Sequence, residues 1–133
     1  MSTTADHAAL QKKLQLKPGT RLWVWPETHT HPPELTADTI EATDLADADV
    51  AVLFTNSLAD VDAALDQHIQ ALAPLRAVWF IYPKGNAADF NRDTLWNRLL
   101  RDGWRANSNV SFDETLSAIR ARPLKPGETV RQA

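Results

Sequence analysis

The sequence predicts an α/β domain, an abbreviated Rossmann-like three-layer sandwich with a mostly parallel sheet and an antiparallel hairpin at its C-terminal edge. Three observations lead there. The segments 50–54 (VAVLF) and 76–82 (RAVWFIY) are apolar almost throughout, as parallel strands covered on both faces are. A helix-length segment with apolar residues at helical spacing separates them. Two later strand-like segments, 104–112 and 116–122, are joined at Asp113–Glu114, too short a connection for a helical crossover, so they should pair antiparallel.

Taken in order, residues 5–16 suggest an amphipathic helix, with Leu10 and Leu14 one turn apart, stopped by Lys17-Pro18-Gly19. Arg21–Trp25 (RLWVW) is β-branched and aromatic and reads as a strand that Pro26 ends. Residues 26–34 (PETHTHPPE) form a proline-rich loop, and 26–38 either lie over a crevice as a lid or merely connect two strands. Thr39–Thr43 reads as a short strand and Asp44–Asp49 as an acidic turn. Ser57 suits a helix N-cap, with Asp60 three residues on completing a capping-box variant. Leu58, Val61, Leu65, Ile69 and Leu72 then recur at helical spacing down to Pro74. A second helix is predicted over 91–102, with Asn91 as cap and Leu95, Trp96, Leu99 and Leu100 as its buried stripe. Gly103 sits where a left-handed C-terminal cap belongs. Residues 1–123 form one domain on this reading, with 124–133 as a loose tail. Helices should cover both sheet faces, because strands 50–54 and 77–82 have no polar face to show water.

The 133-residue chain is long enough to bury a core without staples. It has no cysteine, which excludes disulfides, thiolate metal sites and a cysteine nucleophile. The longest apolar run, 77–83, is far below the roughly 18 residues of a membrane span. The start MSTTADHAALQKK lacks the order of a signal peptide. A cytoplasmic protein with no membrane partner is the resulting expectation. Charge is uneven: residues 1–70 hold 4 basic and 11 acidic side chains, residues 71–133 hold 10 and 6. That asymmetry fits either an anion-binding face or two differently solvated faces, and falls short of a nucleic-acid footprint.

Site candidates follow from the strand ends, because ligands in open α/β sheets bind outside the carboxyl ends of the strands. Lys84 and Gly85 follow the strand at 76–82, and Asn91 and Arg92 open the next helix. Gly85 permits a sharp turn, the helix start offers free N–H groups, and Lys84 and Arg92 supply positive charge. The same residues also read as a turn glycine, a cap and solvated charges. Arg120 and Arg122 share one strand face by the period of two. They either complete an anion site, meet an acidic partner, or guard an edge strand against pairing. Arg98, Arg101 and Arg105 read as a solvated basic strip.

Other chemistry is thin. With four glycines, none after the first strand, a phosphate-cradling loop is missing, so no cofactor is expected. His29 and His31, between Glu27 and Glu34, have zinc-compatible chemistry but lack a nearby third ligand, so no metal is expected. His68 borders an apolar helix stripe and reads as a packing residue. Ser57, Ser108, Ser111 and Ser117 sit in no nucleophile elbow, and Asp113–Glu114 suits a turn better than acid–base work.

The motifs Trp79-x-x-Tyr82-Pro83-Lys84-Gly85, Asn91-Arg92-Asp93, Gly103-Trp104-Arg105 and Asp113-x-Thr115-x-Ser117-Ala118-Ile119-Arg120-x-Arg122-Pro123 occur in order, after a lead-in of Leu14-x-x-Lys17-Pro18-Gly19-x-Arg21. Over residues 14–123 the chain resembles a family of short, uncharacterised bacterial proteins catalogued as a domain of unknown function. Leu116 and Ala121 depart from that pattern, where an aromatic and another bulky residue are usual. The lead-in and hairpin are also similar to small-molecule methyltransferases, whose sheet ends in an antiparallel strand, but the glycine-rich loop of those enzymes is missing here. The resemblance implies a shared scaffold and carries no reaction. Whether the chain is an enzyme stays open. The leading expectation is a non-catalytic module for a small anionic ligand or an acidic protein segment, with ligand residues Lys84, Gly85, Asn91, Arg92, Arg120 and Arg122. The alternatives are a degenerate methyltransferase-like or nucleotide-using enzyme, and a structural or regulatory homodimer paired through a sheet edge.

Overall fold

The computed structural model describes residues 14, 16, 19–25, 39–41, 44–84, 92–112 and 115–128. Six strands form one sheet: β1 (Arg21–Trp25), β2 (Ile40–Glu41), β3 (Val50–Phe54), β4 (Ala77–Pro83), β5 (Trp104–Ser111) and β6 (Leu116–Pro123). Two helices, α1 (Leu58–Leu72) and α2 (Arg92–Arg101), and a 3-10 turn at Leu45–Asp47 complete the described fold. The predicted helix at 5–16, apart from Leu14 and Leu16, the 26–38 segment and the Asp113–Glu114 turn lie outside the described residues.

The sheet is mixed, in the order β2-β1-β3-β4-β6-β5. β1 pairs parallel with β2 and β3, and β3 with β4, while β6 pairs antiparallel with both β4 and β5. Five strands therefore run one way and β6 alone runs against them. The two apolar strands take the centre, as their composition requires: every residue of β3 is buried, and all of β4 except Pro83. β6 is not an edge strand. It folds back into the gap that the β4–α2–β5 crossover leaves, so β5 forms the edge and Arg120 and Arg122 lie inside the sheet.

The core has two halves, one on each sheet face. On one, Ala51, Leu53, Val78, Phe80 and Ile119 meet Val61, Leu65 and Leu72 of α1 and Leu95 and Leu99 of α2. Both described helices cover this same face. On the other face Val50, Val52, Trp79, Ile81 and Ala118 are covered by Leu14, Leu16 and Phe112. Trp79 Nε1 donates to the Leu14 carbonyl at 3.1 Å and fixes that cover in place.

Local chemistry explains the element ends. Ser57 caps α1 by accepting from the Asp60 amide at 3.2 Å, and the Asp60 carboxylate accepts from the amide of Asn56, the residue before the cap, at 2.8 Å, a capping-box variant shifted by one residue. Gly103 ends α2 with φ +77°. Arg98 does not belong to a solvated strip: only 8% exposed, it bridges Asp62 of α1 and Asp102, four residues on and just past the end of α2. His68 packs its ring edge-on against Trp23 at 4.9 Å, consistent with a packing role.

Candidate functional site

The carboxyl ends of β1, β3, β4 and β5 all lie at one end of the sheet, and Lys84 emerges there. Its backbone amide donates to the Thr115 carbonyl at 2.9 Å. Its ammonium donates to Ser111 Oγ, the last residue of β5, at 2.8 Å. Because β6 runs between β4 and β5, Tyr82, Ser117 and Ser111 stand side by side in register. The Tyr82 hydroxyl donates to Asn109 Oδ1 at 3.0 Å and is also hydrogen-bonded to Ser117. Burial pushes that phenol above its ordinary value, and the two hydrogen bonds oppose the push. Arg92, at the start of α2, is close enough to act on Tyr82 electrostatically. It pairs at 3.3 Å with its neighbour Asp93, both more than half exposed, a contact worth little.

Lys84, Arg92, Tyr82, Asn109, Ser111 and Ser117 thus form one polar corner. Gly85 and Asn91 lie outside the described residues, as do His29 and His31. Arg120 and Arg122 do not join this corner. Arg120 is opposite Trp79 and donates to the Arg76 carbonyl at 3.0 Å. Thr115, beside Lys84, and Arg122 are seven positions apart, about 20 Å or more along a strand. The two arginines do share one face of β6, as the period of two requires. Tyr82, Asn109 and Ser111 were not nominated by the sequence as ligand residues. The alternation Asn109-x-Ser111, polar on one face of a strand, was the available signal.

Neither a protein-family model nor a curated protein matches the sequence. Solved structures do share the fold. A protein of the NADB-Rossmann superfamily from Streptococcus agalactiae superposes with a TM-score of 0.55 at 11% identity, covering 97% of this chain and 72% of that one. A putative tRNA (m1A22) methyltransferase from Streptococcus pneumoniae, solved in complex with S-adenosyl-L-methionine, gives 0.56 at 9%, covering 98% and 76%. The Bacillus subtilis m1A22 tRNA methyltransferase TrmK gives 0.55 at 8%, covering 92% and 67%. The fold is Rossmann-like. At such identities the likeness concerns the scaffold alone, in keeping with the methyltransferase-like architecture that the hairpin implied.

In a Rossmann-like sheet the order reverses at a switch point, here between β1, whose chain goes on to β2, and β3 on its other side. The residues there are Trp25, half-buried at the end of β1, and Thr55 to Ser57 at the end of β3. The Thr55 amide and hydroxyl both donate to the Ile81 carbonyl at 2.9 Å, locking the ends of β3 and β4 together.

A second polar cluster lies at the opposite end of the sheet. Glu128 accepts from Arg105, from both terminal nitrogens of Arg122 and from the Lys125 amide, at 2.8–3.0 Å. Arg122, then the Lys125 amide and Arg105, hold its carboxyl far below the usual carboxylate range. The turn Lys125-Pro126-Gly127-Glu128 is closed by the Glu128 amide on the Lys125 carbonyl at 2.9 Å, with Gly127 at φ +80°. Residues 124–128 are therefore tied down, where the sequence suggested the start of a loose tail. Gly19, in the other Lys-Pro-Gly triplet, has φ +83°, so the repeated triplet reflects turn chemistry.

Proposed function

We propose that the protein is a non-catalytic binding module that takes a small anionic ligand at the Lys84–Arg92 corner. One observation carries the reading: the Lys84 ammonium is oriented by Ser111 beside the hydroxyls of Tyr82 and Ser117, at the carboxyl end of β4 where α/β sheets take their ligands. Arg92 adds a second, exposed cation. The donors there suit an anion's oxygens. The corner's described carboxylate, Asp93, pairs with Arg92, and no described histidine joins it, so the chemistry favours holding over turning over.

A thermal-shift titration with small carboxylates tests this. A ligand at 100 times its dissociation constant stabilises by about 2.7 kcal/mol. The expected result is a shift that Lys84→Ala abolishes while leaving the unliganded midpoint in place. A shift that survives Lys84→Ala removes the corner as the site.

A second reading rests on the scaffold and on Trp25: an enzyme of methyltransferase or nucleotide-using type whose cofactor loop is lost or relocated. It predicts saturable quenching of tryptophan fluorescence by S-adenosylmethionine or a nucleotide, and a flat titration counts against it. A homodimer paired through a sheet edge has less support. β2 is two residues long, and β5 is interrupted by a register shift between Ala106 and Ser108, two devices that discourage strand addition.

A further inference from the structure

Arg105 and Arg122 stand directly opposite each other on β5 and β6. Like charges so placed repel, and here the Glu128 carboxylate lies between them. Its two oxygens take four donors, from Arg105, Arg122 and the Lys125 amide. They leave one N–H of the arginine pair unused: Arg105 Nε is buried without a hydrogen-bond partner. An orphaned guanidinium N–H is unfavourable. A phosphoryl group presents three strong acceptor oxygens and up to two negative charges, and a guanidinium fork matches two such oxygens at once. The donors therefore suit a larger oxyanion better than the carboxylate that fills them.

We propose that the Arg105–Arg122 fork, with the Lys125 amide, is a phosphoryl-binding site that Glu128 occupies as a displaceable internal ligand. Glu128 follows the end of β6 by five residues, and a short tether supplies a competitor at about millimolar effective concentration. An external phosphoryl group binds by displacing it. Displacement frees the 125–128 turn, so the occupant of the fork sets whether residues 124–128 are docked. The site lies at the other end of the sheet from Lys84 and stands independently of the corner proposed above.

The test titrates isotope-labelled full-length protein, wild type and Glu128→Gln, with inorganic phosphate and with a phosphoserine peptide, following the Arg105 Nε–H and Gly127 amide resonances by NMR. Glu128→Gln is expected to bind phosphate at least about tenfold more tightly than wild type, because the tethered competitor is weakened. The Arg105 Nε–H should shift in both proteins, Gly127 should become mobile in wild type, and Lys84→Ala should change neither. Chloride at equal ionic strength should leave both signals in place. Tighter binding of the peptide assigns the phosphoryl group to a modified partner, and equal affinity assigns it to free phosphate. A folded Glu128→Gln with no gain in affinity overturns the proposal. Should that variant not fold, an unmoved Arg105 Nε–H in wild type well above millimolar phosphate overturns it equally.

Discussion

Arg98 of α2 and Asp62 of α1 form an ion pair across the helix layer, with the guanidinium buried and the carboxylate half-exposed. Asp102 holds the same guanidinium from the other side at 2.7 Å. Burial alone disfavours the charged guanidinium, but the two carboxylates outweigh it and raise its pKa. Arg98→Ala should therefore destabilise the fold by about 2–3 kcal/mol, less than a fully buried pair because both partners keep contact with water. Arg98→Met should recover part of this by keeping the apolar stem packed. Urea unfolding of both variants measures the difference.

The second sheet face depends on a short piece of chain. Leu14 is fully buried there, and its carbonyl accepts from Trp79. Leu14→Ala should cost about 2–4 kcal/mol through loss of burial and the cavity left behind. Trp79→Phe leaves that carbonyl unpaired and should cost about 1–3 kcal/mol. If both variants unfold at the wild-type denaturant midpoint, the segment does not contribute as described.

Gly103 has φ +77° with open space where a Cβ would stand. Gly103→Ala should thus cost about 1–2 kcal/mol from backbone conformation alone, with no change in the near-ultraviolet spectrum of the core.

Glu128 makes stability depend on pH. Its folded pKa is depressed, chiefly by Arg122, so its contribution is complete above the ordinary glutamate value and fades as pH falls below it. The gap in denaturation midpoint between wild type and Glu128→Gln should be largest near neutrality and close progressively below about pH 4.3. A gap that is constant from neutral to acid pH removes the carboxylate as its source.

Much of this fold was legible because burial writes itself into composition. β3 and β4 read as all-apolar runs since both faces are covered, and α1 reads from Ser57, Asp60 and its stripe. The order of the sheet was not legible: nothing local in Leu116–Pro123 says that it inserts between β4 and β5. That follows from the crossover leaving room for one strand. Arg98 was misread although its signal was present, three residues beyond Leu95 and one before Leu99, on the buried stripe. At the site, the sequence placed Lys84 and Arg92 at one corner but grouped Arg120 and Arg122 with them. Strand direction separates the pairs, and direction is a property of pairing. Glu128 escaped notice because a turn of Lys, Pro, Gly and Glu reads as a tail until its arginine partners are brought opposite.

The placement of β6 also sets a timetable. The strand that completes the sheet is the last in chain order, and it seals the flank of β4. While a ribosome is still making residues 116–123, β4 has the apolar sequence AVWFIYP and one flank of unpaired backbone, with α2 and β5 already synthesised beyond it. Nascent chains arrested just before Leu116 should accordingly recruit holdase chaperones, and chains extended past Pro123 and clear of the exit tunnel should release them.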